Sequence, residues 1–435
     1  MTVHVYRWSE AKPEVRRRLL RRSQTDINDL LDTVQPIVER VRSEGDAALL
    51  ELTAQFDHAR IGELGIAVTP EEFSHAERSL DDPLRRALDY AIENVRTFHR
   101  SQVHLADHTV HVRPGIIATE RVTPIDSVGL YVPSGRGSFP SMMYMLGVPA
   151  VLAGVQTIAV ATPPRPDGTV DPAVLYAAAA CGIDTVYRIG GAQAIGALAW
   201  GTETVPAVRK VVGPGSAYVA AAKRLVADVI DVGLPAGPSE SIVVADEGAD
   251  PWVVALDLMI EAEHGSDSAA LLVTSSEKVA GAVRHHITAL MEEVPEPRKT
   301  FLAEVFAAYG GIILTTDEHE SIAFVNEFAP EHLLLHTRDP HATAAEIHNA
   351  SEVLLGPHTA FSLANYATGP NAVLPTGGWA KTFSPVSVRD FQKASTVVEV
   401  TETGYAEMRD HVIRLADHEG FYTHAAALRE RNRPR

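Results

Sequence analysis

The pattern of hydrophobic positions changes near residue 126 of the chain. Before it, apolar residues recur at helical spacing, as in 27–41 and 83–98, which predicts amphipathic helices around a short strand near 65–68. After it, short β-branched runs alternate with glycine turns and alanine-rich helical segments. Four such units, followed by a second series from Ser241, predict parallel sheets covered by helices. The predicted fold class is therefore α/β.

The stretch 236–267 combines a strand, a capped helix and a pair of metal-type ligands. Its β-branched run predicts a buried strand, and Pro251 suits the first position of the helix that follows. Glu261 and His264 close this helix at spacing i,i+3, so a carboxylate and an imidazole share one face and can meet one cation. Taken alone, a solvated Glu and a His near the helix C-terminus explain the pair more often than a metal does.

Composition and charge narrow the class of protein. The chain has 435 residues, is 46% hydrophobic and carries a formal charge of −18, which excludes a fibrous or disordered class and argues against nucleic acid as a partner. The N-terminal segment lacks the apolar core of a signal peptide, and no run is long enough to span a membrane. We expect a cytoplasmic enzyme. Cys181 is the only cysteine, which excludes intrachain disulfides and thiolate zinc sites and favours a buried thiol.

Glycine turns indicate where ligands bind. In open parallel sheets, ligands lie at the carboxyl ends of the strands, and paired glycines follow several predicted strands here. These pairs are Gly135 with Gly137, Gly190 with Gly191, and Gly213 with Gly215. They suit a nucleotide-sized crevice but lack the third glycine of the dinucleotide fingerprint, and ordinary turns explain them equally well. Residues 1–23 form an arginine-rich segment that reads as a solvated or interface helix.

Eight sequence blocks resemble those of one family. GLYVPSG, IGGAQAIGALAWGT, VVGPGSAYVAAAKR, AGPSE, AEHG, FAPEHL, NYATGPNAVLPTGG and DFQK occur in the order and spacing of the histidinol dehydrogenases, from about residue 25 onward. The resemblance implies a homodimeric, zinc- and NAD-dependent enzyme of histidine biosynthesis. Such an enzyme oxidises L-histidinol twice, through the aldehyde, to L-histidine. It also implies two incomplete Rossmann-like domains with small terminal helical segments.

The resemblance and the hydrophobic pattern together predict a division of the chain. The predicted parts are an N-terminal helical arm, 1–23; a first α/β domain with the metal and the bases, 24–130 and 241–384; a second, NAD-binding domain, 131–240; and a C-terminal tail that reaches the partner subunit, 385–435. Within the tail, residues 405–435 are expected to be helical, and they follow a stretch rich in Gly, Pro, Asn and Ser.

The resemblance also assigns roles to individual residues. The implied zinc ligands are Glu261, His264, Asn365 and His424, with His424 supplied by the partner subunit; the implied bases are Glu331 and His332; Ser239 and Glu419 would contact substrate together with His332 and the zinc ligands; Tyr131, Gln193 and Ser216 would contact NAD. Nitrogen and oxygen ligands with room for substrate suit catalytic zinc. Because the chain has one thiol, we expect Glu331 to activate water on the aldehyde and His332 to accept the alcohol proton.

Four positions depart from the family pattern. Glu261 replaces Gln and Asn365 replaces Asp, an exchange that keeps the charge of the ligand set; Ala372 replaces His, and Ser216 replaces Asn. Loss of a polar partner at Ala372 loosens the assignment to histidinol. One alternative is a paralogue that oxidises another small polar alcohol with NAD. Another is a zinc hydrolase that uses Glu331 and no dinucleotide, and a third is an inactive scaffold, which the retained bases and histidines disfavour.

Overall fold

The computed structural model describes residues 3–22, 27–103, 107–134 and 137–431. Its strands are β1 Val5–Arg7, β2 His108–Arg113, β3 Ile116–Pro124, β4 Ser127–Tyr131, β5 Thr157–Ala161, β6 Val186–Tyr187, β7 Lys210–Val212, β8 Glu240–Ala245, β9 Ala269–Thr274, β10 Gly311–Leu314, β11 His332–His336, β12 Glu352–Leu355 and β13 Gln392–Val400. Its helices are α1 Pro13–Arg21, α2 Asn28–Glu44, α3 Asp46–Phe56, α4 Pro70–Ser79, α5 Asp82–Arg100, α6 Pro140–Ala153, α7 Pro172–Cys181, α8 Gly191–Trp200, α9 Ala217–Val226, α10 Pro251–Ala262, α11 Glu277–Leu290, α12 Arg298–Ala308, α13 Glu318–Phe328, α14 Pro340–Ala345, α15 Phe361–Tyr366, α16 Glu402–His418 and α17 Tyr422–Arg429. Short 3₁₀ turns lie at Trp8–Glu10, Trp379–Lys381 and Val388–Phe391.

The described chain divides into two compact units. The larger unit runs to Gln102 and continues through Ile125–Phe391; the smaller comprises Val103–Pro124 and Gln392–Arg435. Both predicted parallel sheets belong to the larger unit, so the α/β fold class is confirmed. The tail predicted to begin at 385 instead joins residues 103–124, because β13 pairs with β3.

Four strands of the described larger unit form a parallel sheet in the order β6, β5, β4, β7. Counted along the chain this order is third, second, first, fourth, which is one half of a Rossmann sheet. Helices α2 and α3 share its core: Val38 and Leu49 pack in the same buried cluster as Ala159 and Ile195. The predicted grouping of 24–130 with 241–384 therefore differs from the packing found, because helical periodicity identifies an apolar face but not the sheet that covers it.

Six strands of the described larger unit form the other sheet, in the order β1, β10, β9, β8, β11, β12, all parallel. Its four inner strands are buried on both faces: Val243 and Leu272 belong to one apolar cluster, and Ile242 and Leu271 belong to the other. The prediction of a purely helical N-terminal arm is wrong, since β1 pairs with β10 before α1 begins. Residues 1, 2 and 23 of that predicted arm lie outside the described residues.

The smaller unit contains an antiparallel sheet in the order β13, β3, β2, followed by α16 and α17. Helices α16 and α17 occupy the segment predicted to be helical from residue 405, and a nine-residue strand precedes them. Side chains along β2 are exposed throughout, and those along β13 are exposed after its first residue. Both faces of these strands are thus uncovered within one chain, which is unusual for residues of strand-forming type.

Candidate active site

The predicted metal and catalytic residues of the larger unit lie at the amino edge of the six-stranded sheet. Ser239 precedes β8, and His332 is the first residue of β11. Helix α10 starts with Pro251 after an Asp250 cap, whose Oδ1 accepts from the backbone N of Trp252 at 2.9 Å. Because α10 runs back across the sheet, its last turn returns to the amino edge. These residues therefore lie at the edge opposite the carboxyl ends, where open parallel sheets usually bind their ligands.

The structure brings three of the four predicted zinc ligands together. Glu261 is buried, and its Oε1 accepts a hydrogen bond from Nδ2 of Asn365 at 2.7 Å. Its Oε2 lies 3.0 Å from Nδ1 of His264, and Oγ of Ser239 lies 3.0 Å from the same nitrogen. The exchanged amide and carboxylate are therefore direct partners, 104 positions apart in the chain. The helix predicted to include His264 ends at Ala262, and His264 meets Glu261 from the turn that follows.

These ligand atoms fit zinc. Burial would raise the pKa of Glu261, but the His264 and His332 charges and the Asn365 amide hold it at about 2, so the group is a carboxylate. Its Oε2 is a buried anionic oxygen that faces Nδ1 of His264, so a carboxylate oxygen and an imidazole nitrogen lie side by side. The described residues contain no cluster of three His, Cys, Asp or Glu side chains that could hold a metal. The predicted zinc ligands do not form such a cluster, because one of them is the amide of Asn365 and another, His424, belongs to the smaller unit.

The predicted bases form a buried acid and imidazole pair. The Glu331 Oε2 accepts from the backbone N of Glu240 at 2.9 Å. The His332 Nδ1 donates to Oε2 of Glu352 at 2.8 Å, and its Nε2 lies 3.9 Å from Oε1 of Glu331. Glu352 orients the imidazole as the carboxylate of a catalytic triad does. Sequence reasoning missed it, because its pairing with His332 depends on the register of β11 and β12.

Burial and neighbouring charge shift the pKa of both bases. Burial raises the pKa of Glu331 to about 8, and the His332 charge opposes that rise. Burial lowers the pKa of His332, but the surrounding carboxylates of Glu261, Glu331 and Glu352 outweigh it and raise the value to about 10. Perturbed titrations of this kind cluster at functional sites. The charges also couple the bases to Glu261, so metal ligands and bases share one environment.

The predicted NAD residues lie at the carboxyl edge of the four-stranded sheet. Tyr131 ends β4, and its hydroxyl accepts from the backbone N of Gly191 at 3.0 Å, at the start of α8. Gln193 lies in the first turn of α8, and Ser216 is the N-cap residue of α9. A Cβ at Gly213 would lie 2.1 Å from the carbonyl oxygen of Tyr131, so glycine permits the two strand ends to converge. The location is the switch point between β4 and β7, where dinucleotides bind.

Sequence reasoning missed a carboxylate at this edge. Asp57 follows α3, and its Oδ2 lies 3.4 Å from Nε2 of Gln193, within hydrogen-bond reach. Burial raises the pKa of Asp57 to about 6. No motif identifies this residue, because α3 reaches the sheet only through tertiary packing. Of the other predicted glycine turns, Gly135 lies outside the described residues.

The predicted tail residues belong to the smaller unit. Glu419 follows α16, and His424 is an exposed residue in the first turn of α17, with its ring 5.2 Å from that of Phe421. Their contribution to the site stays a prediction. Cys181 is buried at the end of α7, and burial raises its thiol pKa to about 12, which confirms the expected inert thiol. Among the described helices, none is long and apolar enough to cross a membrane.

The fold and the site define a class. Two Rossmann-like sheets, one with a dinucleotide-type switch point and one beside a buried acid and imidazole pair, characterise an NAD-dependent oxidoreductase.

Comparison with known proteins identifies the family. The family model described as histidinol dehydrogenase matches residues 20–432. The histidinol dehydrogenase of Synechocystis sp. is 48% identical over 98% of both chains, and a histidinol dehydrogenase homolog of Cereibacter sphaeroides is 49% identical over 95% of this chain and 94% of its own. The crystal structure of histidinol dehydrogenase from Elizabethkingia anophelis superposes with a TM-score of 0.92 at 34% identity, covering 99% of this chain and 98% of that one. The chain belongs to the histidinol dehydrogenase family.

Proposed function

We propose that this chain oxidises L-histidinol through the aldehyde to L-histidine, with zinc and two molecules of NAD. The observation that carries the proposal is the single buried environment shared by Glu261, Glu331 and His332 at the amino edge of the six-stranded sheet. Such an environment places an acid, a base and a candidate metal ligand around one substrate. The same charge arrangement would serve a zinc hydrolase, but the dinucleotide-type switch point favours oxidation.

Zinc would be held by Glu261, His264, Asn365 and His424 of a second subunit, and NAD would lie along Tyr131, Gln193 and Ser216. When bound, zinc would hold the amino alcohol and NAD would accept a hydride in each oxidation. The oxygen and nitrogen atoms of the first three ligands already converge, with contacts of 2.7 and 3.0 Å.

His332 would manage the alcohol proton in the first oxidation. Its Nδ1 is engaged by Glu352, which leaves Nε2 for substrate. Because carboxylates raise its pKa, the ring is a strong base once it has lost its own proton. Glu331, 3.9 Å from Nε2 and with a raised pKa, is placed to receive that proton.

Glu331 would act in the second oxidation. The aldehyde carbon needs an oxygen nucleophile before it can release a second hydride. The thiol of Cys181 does not serve as a nucleophile here, because it is buried at the end of α7, between β5 and β6 of the four-stranded sheet in the chain. Glu331 would remove a proton from a water molecule, whose oxygen then bonds to the aldehyde carbon to give a hydrate. Loss of a hydride and a proton from the hydrate yields the carboxylic acid.

A homodimer with shared sites would complete the ligand set. The smaller unit exposes large apolar side chains that soluble monomers normally cover. They are Val110, Val112, Val397, Val398, Leu415, Phe421 and Tyr422. A second copy of the chain is the occupant that also delivers Glu419 and His424 to a site.

A second candidate is the oxidation of a small polar alcohol that lacks imidazole. Ala372 favours it, because alanine offers no polar partner to an imidazole and the neighbouring amide is already engaged elsewhere. Asn371 donates to Met145 O and lies 3.3 Å from Nε2 of His99. The loop containing Ala372 reaches the site, since Gly377 N donates to Oε1 of Glu240 at 2.8 Å. Relatives of 45% to 49% identity described as histidinol dehydrogenase homologs accompany those described as the dehydrogenase itself.

The test is NADH formation by the zinc-loaded protein with a panel of alcohols that begins with L-histidinol. We expect two NADH per histidinol and histidine as the product, detected by absorbance and mass spectrometry. A poor kcat/KM for histidinol, with a higher value for an alcohol that lacks imidazole, would instead support the second candidate. The same panel run without NAD separates either oxidation from a hydrolase.

A further inference from the structure

We propose that Arg22 and Glu240 form a buried ion pair that positions the carboxylate of Glu331, so that the N-terminal arm serves the second oxidation. This inference rests on the proposed function only for the role of Glu331. Arg22 and Glu240 are positioning residues, since neither is among the groups that would touch substrate.

Arg22 lies directly after α1 and is buried with 6% of its surface exposed. Its Nη1 lies 3.2 Å from Oε1 of Glu240. Its Nη2 donates to the carbonyl oxygens of Phe328 and Ala329, and its guanidinium carbon lies 3.8 Å from the centre of the Phe328 ring. One guanidinium therefore holds the start of β8 and the turn that leads into Glu331.

Glu240 connects this guanidinium to Glu331. Its side-chain Oε1 faces Arg22 and accepts from Gly377 N, while its backbone N donates to Oε2 of Glu331 at 2.9 Å. Ala329 has a left-handed backbone, with φ of 54°, two residues before Glu331. A turn of this kind in a residue with a side chain persists only when its surroundings fix it, and Arg22 bonds to its carbonyl oxygen.

Stability alone does not account for this pair. A buried ion pair seldom stabilises a fold more than apolar residues of equal volume would, because both charges lose their hydration. The pair is also incompletely satisfied: within the described structure, Nε of Arg22 and Oε2 of Glu240 make no hydrogen bond. Buried polar atoms without partners are rare and concentrate where the structure serves a function. The group next to this pair that has a proposed function is the carboxylate of Glu331, which accepts from the backbone N of Glu240.

The matched control is on the same helix. Arg21 is the exposed last residue of α1, one position from Arg22. We compare Arg22→Met, Arg22→Lys, Glu240→Gln and the double variant Arg22→Met/Glu240→Gln with Arg21→Met. Each is assayed for histidinol oxidation, for oxidation of supplied aldehyde, for thermal unfolding and for amide hydrogen exchange across 328–333 and 238–242.

We expect Arg22→Met to lower kcat for the aldehyde step on the order of tenfold or more with little change in KM, because a displaced base costs rate more than binding. Arg22→Lys should recover part of that rate. Exchange across both segments should rise in Arg22→Met and stay unchanged in Arg21→Met. The double variant should regain the unfolding temperature, since it buries no unpaired charge, but should not regain the aldehyde rate.

An aldehyde rate in Arg22→Met equal to that of Arg21→Met would overturn the inference. Recovery of rate together with unfolding temperature in the double variant would also overturn it, because that is the behaviour of a purely structural pair. If the unmodified protein forms no acid from the aldehyde, the proposed function fails instead. The hydrogen exchange comparison still decides in that case whether Arg22 and Glu240 fix the Glu331 turn.

Discussion

Neighbouring groups decide how buried glutamates of this chain titrate. Glu261 and Glu331 are both buried at the amino edge of one sheet, yet the pKa of the first is about 2 and that of the second about 8. Glu261 faces His264 and an amide donor, whereas Glu331 accepts from a single backbone N–H beside other carboxylates. The first is thereby suited to bind a cation and the second to exchange a proton near neutral pH.

Replacement of Glu331 by Gln should separate the two oxidations. The amide can still accept from Glu240 N but cannot take a proton from water, so acid formation should fall on the order of a hundredfold or more while aldehyde formation persists in part. The two rates are measured separately, with histidinol and with supplied aldehyde. Glu327→Gln, an exposed residue of α13, is the control. Equal loss of both steps would mean that Glu331 positions substrate.

Replacement of Asp57 by Asn should stabilise the protein increasingly as pH rises. Burial raises the pKa of Asp57 from 3.8 to about 6, so the folded state holds this proton more tightly than the unfolded state does. The resulting stabilisation is present below the unfolded pKa and is lost as pH rises through 6, whereas an amide at this position loses nothing. Between pH 5 and 8 the advantage of the Asp57→Asn variant should grow by about 1 kcal/mol.

Urea unfolding of both proteins at the two pH values checks the Asp57 prediction. Asp228→Asn, at an exposed position, should show no such change with pH. An advantage that is constant from pH 5 to 8 would mean that the carboxyl group does not titrate in this range.

At the scale of elements, α10 and α15 bring together the residues of the proposed metal site. Helix α10 crosses the sheet and returns Glu261, and His264 in the turn that follows the helix, to the amino edge, where α15 presents Asn365. The hydrogen bond from Asn365 Nδ2 to Glu261 Oε1 joins the exchanged amide and carboxylate directly. Stability and metal binding should therefore depend on the pair more than on either residue.

A double-mutant cycle tests this pair. Asn365→Asp places two carboxylates in contact, so the metal-free variant should lose on the order of 2 kcal/mol or more and zinc should restore it. Glu261→Gln with Asn365→Asp restores the bond with its direction reversed and should behave like the unmodified chain. Thermal unfolding with chelator or zinc, and elemental analysis, measure both effects. We expect one zinc per subunit in the unmodified protein; absence of metal, or additive losses in the double variant, would contradict the predicted ligand set.

At the scale of the whole molecule, the described part of the smaller unit exposes much of its apolar surface. Exposed side chains line β2 and most of β13, and Tyr422 keeps 77% of its surface exposed. Residues that the family resemblance assigns to the site, Glu419 and His424, lie in this unit. A two-fold dimer would cover the apolar surface and form two equivalent shared sites.

Complementation between inactive variants tests the shared site. Glu331→Gln damages the larger unit and His424→Ala the smaller, and equal amounts are mixed and refolded. About half of the dimers are then mixed, and each has one site with both lesions and one with neither. Roughly a quarter of the unmodified activity should return, since one site in four is intact. No recovery, with mixed dimers verified by mass, would show that the tail serves its own subunit.

The sequence by itself determined the features that depend on local order along the chain. Alternating β-branched runs and glycine turns predicted the parallel sheets, and the close spacing of Glu261 and His264 brought the two side chains together, although α10 ends at Ala262 and His264 lies in the turn after it. The sequence blocks placed Tyr131, Gln193 and Ser216 at strand ends and helix starts, where the structure has them. These features survive folding because periodicity, capping and turns involve residues only a few positions apart.

Tertiary structure decided which distant segments meet. It paired β1 with β10, packed α2 and α3 on the four-stranded sheet and placed the proposed bases at the amino ends of the six-stranded sheet. It also brought residues without a sequence motif into contact with the proposed site. The register of β11 and β12 places Glu352 against His332, and Arg22 of the N-terminal arm, which the sequence predicts to be solvated, pairs with Glu240. Register and helix packing depend on complementary surfaces hundreds of residues apart, and no local pattern encodes them.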